Sequence, residues 1–118
     1  MTIKPVIVAI GYNRIEPMNR LLHALESAIY DDDDVTLIIS IDHGDNQELI
    51  QNVDDFVWSH GQKIVKTHSQ NLGLRKHIME CVDYSIEYGA AIIFEDDTMP
   101  APYFYSYTKK AVNFYKFD

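Results

Sequence analysis

Four short apolar runs, separated by stretches with apolar residues at helical spacing, constrain this chain more than any other feature of its sequence. Pro5-Val6-Ile7-Val8-Ala9-Ile10 is apolar throughout, and Val35-Thr36-Leu37-Ile38-Ile39-Ser40-Ile41 is nearly so, as strands buried on both faces must be. Lys63 to Thr67 and Ala90 to Phe94 read as a third and a fourth strand. No hairpin signal joins any two of them. Strands alternating with helices predict an α/β fold, a mostly parallel sheet flanked by helices.

The intervening helices follow from periodicity and caps. The first is predicted to begin near Pro17, with Met18, Leu21, Leu22, Leu25, Ala28 and Ile29 as its apolar stripe. Asp45 is the expected N-cap of the second, which turns Leu49, Ile50, Val53, Phe56 and Val57 inward. The third starts after Asn71-Leu72-Gly73, carries Leu74, Ile78, Cys81, Val82 and Ile86 inward, and ends at Gly89. Phe104, Tyr107, Ala111 and Phe114 mark a last helix.

The 118 residues suit one compact domain, residues 1–118. No apolar run approaches the ~20 residues needed to span a bilayer. The N-terminal segment reads as a first strand and not as a signal peptide, so a cytoplasmic protein is expected. The lone cysteine, Cys81, excludes an internal disulfide and is expected to be a buried thiol. A formal net charge of -8 opposes nucleic acid as a partner. It would also repel a nucleotide diphosphate unless a cation stood between, so a phosphate ligand here implies a bound metal.

Parallel sheets bind ligands beyond the carboxyl ends of their strands. That rule brings Arg14, Asp42, residues 68–75 and Glu95 to Asp97 to one edge. Glu95-Asp96-Asp97 is the sharpest feature of the set: three carboxylates directly after a buried strand repel one another unless a cation offsets them. Oxygen-only ligands suit Mg²⁺ or Mn²⁺. Adjacent residues at a strand end point to opposite sides, so a divided role is expected, with one carboxylate on the metal and the others on sugar or ribose hydroxyls. Asp31 to Asp34 precedes a strand and is therefore expected to be a solvated loop at the opposite edge. Asp42 suits a nucleoside contact and turn chemistry equally well. Arg14 could bond a base or a phosphate, or be an ordinary surface residue. Asn71 to His77, which includes Arg75 as a candidate substrate contact, is the main basic patch; it either adds positive charge near phosphates or is a polar helix face. His23, His43, His60, His68 and His77 lack metal-ligand spacing. There is no G-x-G-x-x-G, no Walker A and no G-x-S-x-G.

Together, Pro5 to Arg14, Ile38 to Gly44, Asn71-Leu72-Gly73, and Ile92 to Asp97 with Pro100 and Tyr103-Phe104 behind them resemble the N-terminal half of GT-A glycosyltransferases. The resemblance is in particular to the N-acetylglucosaminyltransferase I type, which carries Glu-Asp-Asp where most of these enzymes carry Asp-X-Asp. The resemblance implies a Rossmann-like nucleotide-binding half that takes a UDP-sugar donor and transfers the sugar to a saccharide or other hydroxyl acceptor with inversion. It implies that Asp97 binds Mn²⁺, that Glu95 and Asp96 contact sugar or ribose, and that Arg14 and Asp42 hold the nucleoside. The family's acceptor half and general base are expected beyond residue 118, so the chain is expected to be a truncated or natural fragment that binds donor before it turns over. Two rivals remain: a receiver-like signalling domain, and a catalytically dead fragment that binds a partner through residues 103–115.

Overall fold

The computed structural model describes residues 2–31 and 33–115; Asp32 of the acidic run and Asp118 lie outside the described residues. Strands β1 (Val6–Gly11), β2 (Leu37–Ile41), β3 (Lys63–Thr67) and β4 (Ala91–Glu95) form one sheet in the order β3-β2-β1-β4, every neighbouring pair parallel. Helices α1 (Ile15–Ser27), α2 (Gln47–Asp55), α3 (Gly73–Val82), α4 (Tyr84–Tyr88) and α5 (Phe104–Tyr115) connect and flank the strands. This is the α/β, Rossmann-like architecture that the alternation predicts. The order starts the doubly wound series 3-2-1-4-5-6 and departs from the 2-1-3-4-5 order of receiver domains.

Period-2 alternation explains why β1 is apolar at every position. Ile7 and Ala9 pack with Met18, Leu21, Leu22 and Leu25 of α1, and with residues of α2 and α5, on one face. Val6, Val8 and Ile10 pack with Cys81 of α3, and against Tyr84 and Tyr88 of α4, on the other. Gly89 ends α4 at φ 87°, a left-handed conformation that glycine adopts without penalty. No helix of the described residues is long and apolar enough to cross a membrane.

Several predicted inward positions prove to face outward. Ile29 and Val57 follow the ends of their helices and are exposed, Val57 by 77%. Helix α3 is rotated relative to the expected stripe: Leu74 and Val82 are exposed, as is Ile86 of α4, while His77 and Cys81 are the buried residues of α3. Counting only hydrophobes put the wrong face inward, because Ser40 of β2 offers His77 a polar partner inside. The residue at the N-cap position of α2 is Asn46, and Asp45 is exposed before it. Asn46 Nδ2 donates to the carbonyls of Tyr12 and Asp42 at 2.5 and 2.8 Å, tying together the loops after β1 and β2.

Helix α5 shows the same effect. Its buried residue is Tyr105, whereas Tyr107 and Phe114 are exposed. The Tyr105 hydroxyl donates to the Pro5 carbonyl at 2.8 Å, and its ring meets Tyr30 edge-on at 5.3 Å. A phenol with a partner can enter a core that its polarity would otherwise bar. Tyr105→Phe, which leaves that carbonyl buried without a donor, is expected to lower stability by about 1–2 kcal/mol. Tyr107→Ala is expected to change it by no more than about 0.5 kcal/mol. Urea unfolding of the two variants checks the inverted stripe.

Candidate functional site

From β1 the chain steps outward through β2 to β3, then returns to the far side of β1 as β4. The direction of winding reverses between β1 and β4, and a crevice opens beyond their carboxyl ends. A cavity of about 550 Å³ lies there, within the size range of small-molecule sites. Its walls are Tyr12, Asn13 and Arg14 after β1, Asp42 after β2, Asn71, Gly73, Leu74 and His77 around the start of α3, and Glu95, Asp96 and Asp97 at the end of β4. Arg14, Asp42, Glu95, Asp96 and Asp97 are thus brought together. Arg75 is exposed on α3 and does not line the cavity.

The three adjacent carboxylates divide, as strand alternation requires. Asp96 turns inward with 8% of its side chain exposed, and its Oδ1 accepts a hydrogen bond from Arg14 Nη2 at 2.5 Å. The same nitrogen lies 3.9 Å from Asp97 Oδ2, whose side chain is 62% exposed. The hydrogen bond and charge of Asp96 strengthen the hold of the Arg14 guanidinium on its proton. Among the described residues, four carboxylates and one guanidinium line the cavity, and no group of three or more His, Cys, Asp or Glu side chains is poised to hold a metal by itself.

Asp42 has a definite structural occupation. It is 5% exposed and sits under the start of α3. Its Oδ1 accepts the N–H of His43 at 2.8 Å and of Leu72 at 2.7 Å. Its Oδ2 accepts the N–H of Gly73 at 3.0 Å and the Asn71 amide at 3.3 Å. Burial disfavours its charge, but the N–H groups of Leu72, His43 and Gly73 outweigh burial and hold its carboxyl below the usual carboxylate range. The free N–H groups that would draw a phosphate to this helix start are therefore largely engaged by Asp42.

Tyr12 is a lining residue that the sequence pattern did not single out, and Asn71 and His77 line the cavity from the two ends of the Asn71 to His77 patch. The Tyr12 ring lies over Gly44, where a Cβ would stand 2.4 Å from the ring edge. His77, 3% exposed, places Nε2 2.7 Å from Ser40 Oγ. Burial first, and the neighbouring His68 second, lower its basicity and keep it neutral at neutral pH. One signal was available: His77 precedes the buried Cys81 by four residues and so shares its helix face. At the opposite edge of the sheet, Asp33 is not simply solvated, because it pairs with Lys109 of α5 at 2.7 Å.

No family model matches the chain, and no curated protein matches it. Solved structures of the glycosyltransferase TarS from S. aureus do match. TarS 1-349 superposes with a TM-score of 0.68 at 10% identity, covering 96% of this chain and 33% of that one. The fold is glycosyltransferase-like. A second TarS structure matches with a TM-score of 0.57 at 12% identity over 80% of this chain and 16% of its own. The chain therefore spans about a third or less of the TarS chains it matches, and at these identities the likeness is one of fold.

Proposed function

We propose that residues 1–118 form the donor-binding part of a glycosyltransferase that takes a UDP-sugar with the help of Mn²⁺ or Mg²⁺. One observation carries this: Arg14 meets Asp96 and Asp97 where the strand order reverses, in a glycosyltransferase-like fold. The finer likeness to the N-acetylglucosaminyltransferase I type rests on Glu95-Asp96-Asp97 and the aromatic stretch behind it.

The donor set fits a hard cation that brings other ligands with it. Asp97 offers an exposed carboxylate at the cavity wall, and no set of three or more protein ligands is preassembled there among the described residues. Such an ion would take its remaining oxygens from a diphosphate and water. When bound, it would offset the charge that develops on the departing diphosphate. Arg14 is placed to follow the same anion, and Glu95 and Asp96 to accept from sugar or ribose hydroxyls. Tyr12 presents an aromatic face to a base. Asn71 and His77 supply polar edges, and Asp42 holds that wall in place.

Calorimetric titration of UDP in the presence and absence of Mn²⁺ tests the donor site. Saturable binding that requires the ion is expected. Absence of binding in both conditions would remove the donor-site proposal and leave the likeness to glycosyltransferases as one of fold.

A further inference from the structure

His68 lies just past β3 with only 8% of its side chain exposed, outside the cavity lining. Its Nδ1 is 2.7 Å from the carbonyl oxygen of Ile41, at the end of β2, and its Nε2 is 2.8 Å from Glu80 Oε1, on α3. Both partners only accept. A neutral imidazole carries one N–H, so it would leave a lone pair facing either the carbonyl or the carboxylate at hydrogen-bond distance. Only the imidazolium satisfies both.

The surrounding groups agree with that state. Lys66 of β3 also approaches Glu80, at 3.4 Å, and is itself coupled to Tyr84 of α4. The His77 ring stands 5.2 Å from the His68 ring, and its charge-free form avoids repulsion there. His43 Nδ1 meets the His68 carbonyl at 3.1 Å. Asp42 acts on this cluster through His77, and Cys81 beneath it is a neutral thiol, pushed up to about 11 by burial. Burial opposes the charge on His68, and Lys66 opposes it further, but the bonds to Glu80 and Ile41 prevail and raise its basicity above that of an ordinary histidine.

We propose that His68 is a positioning residue for the cavity: protonated on both nitrogens, it ties α3 to the end of β2 and so fixes the wall formed by Asn71, Gly73, Leu74 and His77. Its group is more basic in the folded chain than in the unfolded one. The stabilisation is therefore complete below the unfolded value of about 6.5 and is lost as pH rises through the higher folded value. One of the two bonds must then break, and α3 loosens before the sheet does.

Imidazole ¹⁵N NMR titration of His68, run beside amide hydrogen exchange corrected for intrinsic base catalysis, tests this. His68 is expected to titrate above 6.5, and protection of α3 amides relative to β1 is expected to fall through the same midpoint, by about tenfold for each unit by which that midpoint is raised. Glu80→Gln keeps an acceptor but removes the charge, and it should lower both midpoints together. A His68 midpoint at or below 6.5, or α3 protection that ignores it, overturns the proposal. The corollary that Mn²⁺–UDP affinity falls over the same interval rests on the donor-site proposal. An α3 response in a chain that binds no UDP supports the role of His68 and counts against the donor site alone.

Discussion

Asp97→Asn is expected to remove the metal-dependent part of UDP binding, a loss of about 100-fold or roughly 3 kcal/mol. The carboxylate is exposed, as that of Glu95 is and that of Asp96 is not, and it lies 3.9 Å from the Arg14 guanidinium. Its substitution leaves no buried group unpaired, so stability should change by no more than about 0.5 kcal/mol. Asp96→Asn should behave differently. That side chain is buried against Arg14, so the variant frees the guanidinium and loosens the loop after β1 while Asp97 remains. UDP binding should weaken in Asp96→Asn yet still respond to Mn²⁺. Titrations of both variants with and without the ion separate a metal ligand from a partner of Arg14. Equal metal dependence in Asp97→Asn and the unaltered chain would refute the assignment of Asp97.

Asp42→Ala is expected to cost about 2–4 kcal/mol of stability, the sum of a lost helix cap and backbone N–H groups left without acceptors under the start of α3. The N–H groups concerned are those of His43, Leu72 and Gly73, all within 3.0 Å of the carboxylate. The effect also has a pH signature. Because the folded-state carboxyl lies below its unfolded value, the stabilisation is present at neutral pH and down to roughly pH 4, and is lost as pH falls through the folded value. Urea unfolding between neutral and acid pH should show a shallower acid decline in Asp42→Ala than in the unaltered chain. An identical acid limb in both would mean that the carboxylate does not carry the cap.

The strands and their parallel pairing were legible because apolar β-branched runs separated by helical periodicity leave few other arrangements. Lys63 to Thr67 matches β3 residue for residue, and Gly89 does end a helix, although the stretch expected as one helix breaks at Asp83 into α3 and α4. The faces of the later helices were less legible. A stripe read from hydrophobes alone favours Leu74, Val82 and Tyr107, whereas the core accepts His77 and Tyr105, whose polar atoms find Ser40 Oγ and the Pro5 carbonyl. Such partners sit 37 and 100 residues away in sequence, beyond the reach of any local pattern.

The candidate site divides along the same line. Sequence by itself determined that Arg14, Asp42 and Glu95 to Asp97 share the carboxyl edge of a parallel sheet, since each follows a strand and all strands run one way. The net charge of -8 is the ground for proposing that an anionic ligand there is accompanied by a cation. Tertiary structure alone decided that β4 lies beside β1, and therefore that Arg14 meets Asp96 across 82 residues. It alone committed the Asp42 carboxylate to the start of α3 and turned Arg75 away from the cavity. Strand direction is a consequence of local periodicity and connection length; strand order and the aim of a side chain depend on which surfaces bury one another.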